Sequence, residues 1–216
     1  MSRHPAPDEL LLDYAAGVLP EGPALAVSLH VALDPAAQRT VGRLTALAGA
    51  LLEGEGGPDL GKGALDAVMA RLTDVAVEPK AAPPVRRPGF QWAPAALVPY
   101  LGNREWKRAF GGFEQIEIGL HGDTHRVALL RLQPGKGLPV HRHVANEYTV
   151  VLQGGYTDNT GNYGVGDFAV GPGPEQHEPI ADPGPPCIAL IVVEKPVVLT
   201  GPFGRWLNPL VRRDLI

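Results

Sequence analysis

The stretch GKGLPVHRHVANE, residues 135–147, decides how the second half of this chain is interpreted. Its two histidines, His141 and His143, are two residues apart, so on a strand both imidazoles project from one face. Glu147 follows at a further even step, where a β-rich run begins. The spacing therefore predicts three metal-ligating side chains on one side of a sheet.

A fourth candidate ligand, His177, follows the segment GDFAVGP at residues 166–172. Three imidazoles and one carboxylate suit a borderline divalent ion, with zinc favoured and iron, manganese or nickel as alternatives. Four protein ligands can close a tetrahedral shell around zinc, as in a structural or sensory site, or leave positions open on an octahedral ion. The sequence leaves both geometries open.

The surrounding sequence predicts an all-β domain over residues 106–216. Short β-rich runs are separated by glycines and prolines, which is typical of a sandwich or small barrel. These runs are residues 113–118, 127–132, 147–152, 168–170 and 187–193.

The first part of the chain, residues 1–75, has helical spacing instead. Asp34-Pro35 is typical of a helix start, with an acid at the N-cap and proline at the first helical position. Two apolar stripes recur at helical spacing: Val41, Leu44, Leu47, Ala48, Leu51 and Leu52, and then Leu65, Val68, Met69 and Leu72. Residues 76–105 are rich in proline and are predicted to be a semi-rigid linker. The expected fold is α+β in two domains, a small helical domain followed by an all-β barrel.

Composition excludes several classes of protein. The chain has 216 residues, a formal charge of −4 and one cysteine, Cys187, so a disulfide framework and a Cys-built zinc finger are excluded. The absence of a basic excess argues against direct nucleic-acid binding. No apolar run is long enough for a membrane span, and no export signal is evident, so a cytoplasmic location is expected.

Some polar residues are predicted to have no role in the site. Asp158, Asp167 and Glu175 are interpreted as turn or surface residues. His121 and His125 flank a Gly-Asp turn and are interpreted as solvated hairpin residues.

The β domain resembles the two cupin motifs. Gly135, His141, His143, Glu147 and Gly154 match the first motif throughout, whereas the second is matched at Gly166, Pro172 and His177. The second motif departs from the family where its usual glycine is Pro174 and its usual asparagine is Ala181. The resemblance implies a barrel whose interior holds the metal.

A helical domain joined to a cupin resembles the ChrR family of anti-sigma factors over essentially the whole chain. The matching segments are DELLLDYAAG at residues 8–17, His30 before a capped helix, and LDAVMARL at residues 65–72. The resemblance implies that the helices hold an extracytoplasmic-function sigma factor inactive. It also implies that the cupin half helps the complex respond to a stress such as singlet oxygen or peroxide.

The chain departs from this family at its N-terminal zinc site. His4 and His30 fit the histidine positions, but Asp34 and Ala37 stand where the family has cysteines. A zinc bound by His4, His30, Asp34 and water is one alternative, and a metal-free helical domain is the other. Cys187, within an apolar run, is expected to be a buried and inert thiol.

Two further functions remain open beside the anti-sigma hypothesis. One is a metal-dependent cupin dioxygenase that acts on a small dicarbonyl or enol substrate, with the helices as a dimerisation or lid element. The other is a cupin that binds a ligand without converting it. The regulatory reading, without catalysis, is preferred, and a homodimer paired through barrel edges is left open.

Overall fold

The computed structural model describes residues 2–57, 59–73, 86–109, 112–142, 145–171, 176–194 and 198–199. Its helices are α1 (Asp8–Ala16), α2 (Glu21–Leu33), α3 (Pro35–Gly54), α4 (Ala64–Thr73) and α5 (Val98–Leu101), and a single 3₁₀ turn (Ala95–Leu97) precedes α5. The predicted helix start is confirmed, because Asp34 accepts hydrogen bonds from the backbone N–H groups of Ala36 and Ala37 and Pro35 is the first residue of α3.

Twelve strands follow the helices within the described residues. They are β1 (Lys107–Arg108), β2 (Glu114–Ile118), β3 (Arg126–Leu132), β4 (His141–Arg142), β5 (Glu147–Gln153), β6 (Gly155–Thr157), β7 (Asn162–Gly164), β8 (Phe168–Val170), β9 (Gln176–His177), β10 (Ile180–Ala181), β11 (Cys187–Val193) and β12 (Val198–Leu199). The predicted order of helices before a β-rich domain is confirmed.

Hydrogen bonding groups these strands into three antiparallel sheets. The largest has the strand order β1-β2-β3-β11-β5-β8, and the two smaller sheets have the orders β10-β6-β7 and β12-β4-β9. The connection between the adjacent strands β3 and β11 spans most of the β domain, so sequence-distant segments meet in this sheet.

Both faces of the six-stranded sheet are buried. One face, with Val127 and Leu129 of β3, shares a core with helices α1 and α2. The opposite face, with Leu130 and Leu132, packs against Tyr156 and other residues of the smaller sheets. Because both faces are covered, the central strands are apolar at nearly every position and do not alternate strictly.

Helix α2 is the element that the two halves share. It is buried on several sides and contacts β5 and β11, as well as α1 and α3. Gly22 allows this close approach, because a Cβ at that position would lie 3.1 Å from Val127 Cγ2 and 3.2 Å from Val192 Cγ1. The helical half is therefore packed onto the outer face of the large sheet.

The predicted linker, residues 76–105, is folded where the structure describes it. Phe90, Leu97 and Leu101 are buried in the core that α2 shares with the sheet. Within this predicted linker, residues 95–101 form the 3₁₀ turn and α5, whereas the linker itself stays a prediction. Residues 74–85 lie outside the described part, and the boundaries 1–75 and 106–216 stay predictions.

No helix among the described residues is by itself long and apolar enough to cross a bilayer; α1 and α2 satisfy length and composition only as a pair, bent by 111°.

Candidate functional site

Two of the predicted ligands, His141 and His177, face each other in the sheet formed by β12, β4 and β9. They are direct partners in the register of β4 and β9. Both are buried, and their Nε2 atoms are 2.9 Å apart. Strand pairing therefore brings together two residues that are 36 positions apart in the sequence.

The other ring nitrogen of each histidine is held by an acceptor. His141 Nδ1 lies 2.8 Å from the carbonyl oxygen of Pro139, and His177 Nδ1 lies 3.0 Å from Asp158 Oδ2. Since these oxygens can only accept, each Nδ1 donates a hydrogen bond to its acceptor, and the Nε2 atom of each ring faces the other ring. Metal-binding histidines are commonly oriented by an acceptor of this kind.

Asp158 is a site residue that was predicted to have no role. It does lie in a turn, between β6 and β7, but its side chain is only 2% exposed. Burial alone would raise its pKa, yet hydrogen bonds from Thr160 and His177, with the His177 charge, hold the pKa below its ordinary value. Asp158 therefore remains a carboxylate that orients His177. Nothing in its local sequence distinguished it from an ordinary turn aspartate.

Glu147 opens β5 and is buried on the face of the large sheet that carries Thr149 and Val151. Thr149 Oγ1 donates a hydrogen bond to Glu147 Oε1 at 3.1 Å. A Cβ at Gly171 would lie 3.0 Å from the Glu147 Cβ, so a glycine there leaves room for the glutamate.

Residues 143, 172, 174 and 175 lie outside the described ranges, so the positions of His143, Pro172, Pro174 and Glu175 are not part of this geometry. Among the described residues, no three His, Cys, Asp or Glu side chains converge into a metal-binding group. The structure thus brings His141 and His177 together in the small sheet, whereas Glu147 is buried in β5 of the six-stranded sheet.

The donor chemistry of this pair fits a divalent cation. Their Nε2 atoms lie 2.9 Å apart, so both ring nitrogens point to one place between β4 and β9. Imidazole nitrogen is also a common ligand of zinc and of other first-row metals.

The predicted second set of ligands, His4, His30 and Asp34, is committed to other hydrogen bonds. His30 is fully buried, donates from Nδ1 to Gly166 O at 2.8 Å, and accepts at Nε2 from the Ala6 N–H at 3.2 Å. His4 Nε2 lies 3.2 Å from Asn162 O. Asp34 caps α3 and accepts from Ser2 Oγ, and these bonds hold its pKa below the ordinary value although burial raises it. Each side chain is therefore used to join segments of the chain.

Two other residues expected at the surface make structural contacts. Asp167 is buried and accepts hydrogen bonds from the backbone of Arg3, His4 and Gly164. His125 is largely buried and lies 2.6 Å from Asp123 Oδ1, whereas His121 is exposed as predicted. Both corrections have one cause, because the N-terminal segment and α2 cover surfaces that a β domain alone would leave in solvent.

The single thiol, Cys187, is buried at the start of β11. Burial, with a smaller contribution from the charge of Asp182, raises the pKa of the thiol to about 12. A thiol in this state reacts slowly with oxidants, because the thiolate is the reactive form.

The helices present an apolar surface that the rest of the described chain does not cover. It comprises the far end of α3 and one side of α4, and we name it the α3–α4 surface. Its large side chains are between 54% and 76% exposed: Leu47, Leu51, Leu52, Leu65, Val68, Met69 and Leu72. In contrast, Leu25 and Leu29 of α2 are buried in the core.

Comparisons with known proteins agree with this architecture. The model of the ChrR cupin-like domain matches residues 97–197. The anti-sigma-E factor ChrR of Cereibacter sphaeroides is 33% identical over 214 residues, which are 97% of this chain and 98% of that protein. A chain in the crystal structure of Rhodobacter sphaeroides SigE with the anti-sigma ChrR has a TM-score of 0.74 and 33% identity, covering 88% of this chain and 98% of that one. The chain therefore belongs to the ChrR family of anti-sigma factors.

Proposed function

We propose that this chain binds an extracytoplasmic-function sigma factor through the α3–α4 surface and keeps it inactive. The observation that carries the proposal is the exposure of seven large apolar side chains on two helices. Exposed large apolar side chains in this number are typical of a protein-interaction site. The relative of known structure is in a complex with SigE, which supports a sigma factor as the occupant.

The spacing of these residues suits the insertion of helices into a groove. In α4, Leu65, Val68, Met69 and Leu72 follow the i, i+3, i+4, i+7 pattern of one helical face. In α3, residues after Leu44 are exposed all round, so the helix end extends away from the core. An apolar sigma-factor surface covered by these helices would be unavailable to RNA polymerase.

The test uses the full chain and extracytoplasmic-function sigma factors of the source organism, co-expressed one at a time. Leu51→Glu and Met69→Glu should each weaken binding of the cognate factor by at least about tenfold, since a buried charge at an interface centre is costly. Val165→Glu is the matched control, because Val165 is an exposed apolar residue of the β half. Equal affinities for all three variants would contradict the assigned surface.

We also propose a metal site, with zinc as the preferred ion, formed by His141, His143, Glu147 and His177. The facing Nε2 atoms of His141 and His177 and the buried carboxylate of Glu147 support it. A bound zinc would supply a closed coordination shell without redox chemistry. Asp158 and Pro139 would keep the two imidazoles in the binding orientation.

Zinc titration by calorimetry tests this assignment. Asp158→Asn should weaken zinc binding by roughly 10–100-fold, the usual cost of losing the partner of a metal-binding histidine. Asp182→Asn is the control, because Asp182 bonds Thr157 and Asn162 rather than a histidine. A wild-type chain that takes up no zinc, iron, manganese or nickel would contradict the metal site.

We infer that this site, within a cytoplasmic regulator of stress-responsive transcription, is where the signal is received. The burial of Cys187 and its raised pKa argue against a thiol sensor. The corresponding measurement is the affinity for the sigma factor with and without bound zinc. An affinity that does not change with the metal would contradict the sensory role.

A further inference from the structure

The first residues of the chain lie between the two halves. Residues 2–6 are here named the strap, and the two ends of the strap, Ser2 and Ala6, both contact the helices. Ser2 Oγ donates to Asp34 Oδ2 at 3.0 Å, and the Ala6 N–H donates to His30 Nε2 at 3.2 Å. The strap is thus fastened to the C-terminal end of α2 and to the start of α3.

The middle of the strap is fastened to the β domain. The N–H groups of Arg3 and His4 both donate to Asp167 Oδ1, the second at 3.0 Å. The Phe168 N–H in turn donates to the His4 carbonyl at 2.8 Å. These bonds attach the strap to the turn between β7 and β8.

The same strap reaches the β6–β7 turn through the His4 side chain. Its ring lies against Tyr163, with 4.4 Å between ring centroids, and its Nε2 donates to Asn162 O at 3.2 Å. A Cβ at Gly161 would be 3.4 Å from His4 Cε1, so the ring is in contact with this turn.

Asp158 connects this turn to the facing histidines. Its Oδ1 accepts from Thr160 N and Oγ1 and from Gly161 N, whereas its Oδ2 accepts from His177 Nδ1. The Thr160 hydroxyl also lies 3.0 Å from the hydroxyl of Tyr163, the residue whose ring contacts His4. One carboxylate therefore holds both His177 and the turn against which the strap packs.

At its other end the network terminates at the N-cap of α3. Asp34 shares its two oxygens between Ser2 and the N–H groups of Ala36 and Ala37. His30, Asp34 and Asp167 are all at least 97% buried. Leaving such a group without its partner is costly, so the network favours a discrete arrangement over gradual loosening.

We propose that the strap transmits a change at the His141–His177 pair to the first turn of α3, through Asp158, the β6–β7 turn, His4 and Asp34. The proposal deepens the proposed function and rests on it for one point, that α3 presents the sigma-binding surface. It assigns to residues 2–6 a regulatory role that neither their length nor their composition indicates.

Amide hydrogen exchange of the full chain, read by NMR without metal or sigma factor, tests this coupling. Asp158→Asn leaves one acceptor oxygen where there were two, so either His177 or the turn loses its partner. We expect exchange at His4, Ala36 and Ala37 to accelerate by about tenfold. The Gly22 N–H, which Asp123 holds at the opposite end of α2, should stay within about twofold of wild type.

A second variant removes the link within the strap. In a chain that already carries His4→Ala, adding Asp158→Asn should not accelerate amide exchange at Ala36 and Ala37 any further. The double variant and His4→Ala alone should therefore show the same exchange rates at these two residues. If Asp158→Asn does not fold, Thr160→Val replaces it, because this change removes the hydroxyl between Asp158 and Tyr163.

Two outcomes would overturn the proposal. In one, exchange rises only at residues 158–163 and not at Ala36 and Ala37. In the other, Gly22 accelerates as much as Ala37, which indicates general destabilisation without a specific route. Because the assay contains no sigma factor, a failure of Leu51→Glu to weaken binding would leave its result intact.

Discussion

The carboxylate of Asp123 joins the β half of the molecule to the N-terminal end of α2. Its Oδ2 accepts the Gly22 N–H at 2.6 Å, and its Oδ1 accepts from the backbone and ring of His125. Burial alone would raise the pKa of Asp123, but these hydrogen bonds and the His125 charge lower it below its ordinary value of 3.8. The carboxylate also lies favourably at the positive end of the helix dipole.

Asp123→Ala should lower the free energy of unfolding at neutral pH by about 1–2 kcal/mol, as for a lost helix cap. Because the folded-state pKa is depressed, this stabilisation is present above the ordinary carboxyl pKa and is lost as pH falls through the folded value. Urea unfolding at neutral pH and below about pH 3 measures the difference between wild type and variant.

The difference in the free energy of unfolding between wild type and Asp123→Ala is expected to be smaller at acid pH than at neutral pH. The control is Asp59→Ala, an exposed carboxylate whose removal should change stability little at either pH. A wild-type advantage of the same size at both pH values would contradict the role of the Asp123 charge.

At this scale the sequence predicted His141, His143, Glu147 and His177 as metal ligands, and this assignment stays a prediction, although the described members His141, Glu147 and His177 are buried. It did not predict Asp158, whose partner His177 is 19 residues away, or Asp123, whose partner Gly22 is 101 residues away. An aspartate in a turn has the same local sequence whether it faces water or a distant segment. The role of such an aspartate depends on which distant segment packs against it, and the local sequence does not contain that information.

Among the elements, α2 depends most on close packing. Gly22 lies where an added Cβ would be 3.1–3.2 Å from Val127, Val192 and Asp123. Gly42 of α3 has nothing within 4 Å of the corresponding point. Substitution of Gly22 therefore tests close packing, whereas substitution of Gly42 tests helix propensity alone.

Gly22→Leu should destabilise the fold by about 1–3 kcal/mol, because the side chain must displace α2 from the sheet. Gly42→Ala should instead stabilise it by up to about 1 kcal/mol, since alanine favours a helix and meets no neighbour. Thermal or urea unfolding of both variants gives the comparison. Two variants that shift stability in the same direction would contradict the packing of α2 on the sheet.

The elements themselves were largely predictable from the sequence. Asp34-Pro35 marked the start of α3, and β-rich runs located β2, β3, β5, β8 and β11. The small turn and helix at residues 95–101 were missed, because crowded prolines suggested an extended linker. Pro94 instead immediately precedes the 3₁₀ turn as its N-cap, and Pro99 is the second residue of α5, in the first turn where proline is tolerated.

On the scale of the whole molecule, one core includes residues of α1, α2, the segment 90–101 and the six-stranded sheet. Tryptophan fluorescence and far-ultraviolet circular dichroism observe different parts of this core. Trp92 and Trp106 pack against this core from outside α1–α4, whereas these helices dominate the dichroism.

We expect the two signals to report one coincident urea transition, because α2 cannot lose its packing while the sheet keeps its covered face. The comparison needs only the wild-type chain. A helical transition clearly separated from the fluorescence transition would contradict the shared core and favour two independent domains.

The uncovered end of α3 has a consequence for the chain before any partner arrives. About ten residues after Leu44, or roughly 15 Å of helix, extend from the core with leucines turned to water. Chaperones and proteases recognise exposed apolar segments of this kind. Molecules made in excess of their partner would therefore be degraded or would aggregate. The cell would then retain only as much of this anti-sigma factor as there is sigma factor to cover its exposed leucines. The amounts of the two proteins would therefore change together.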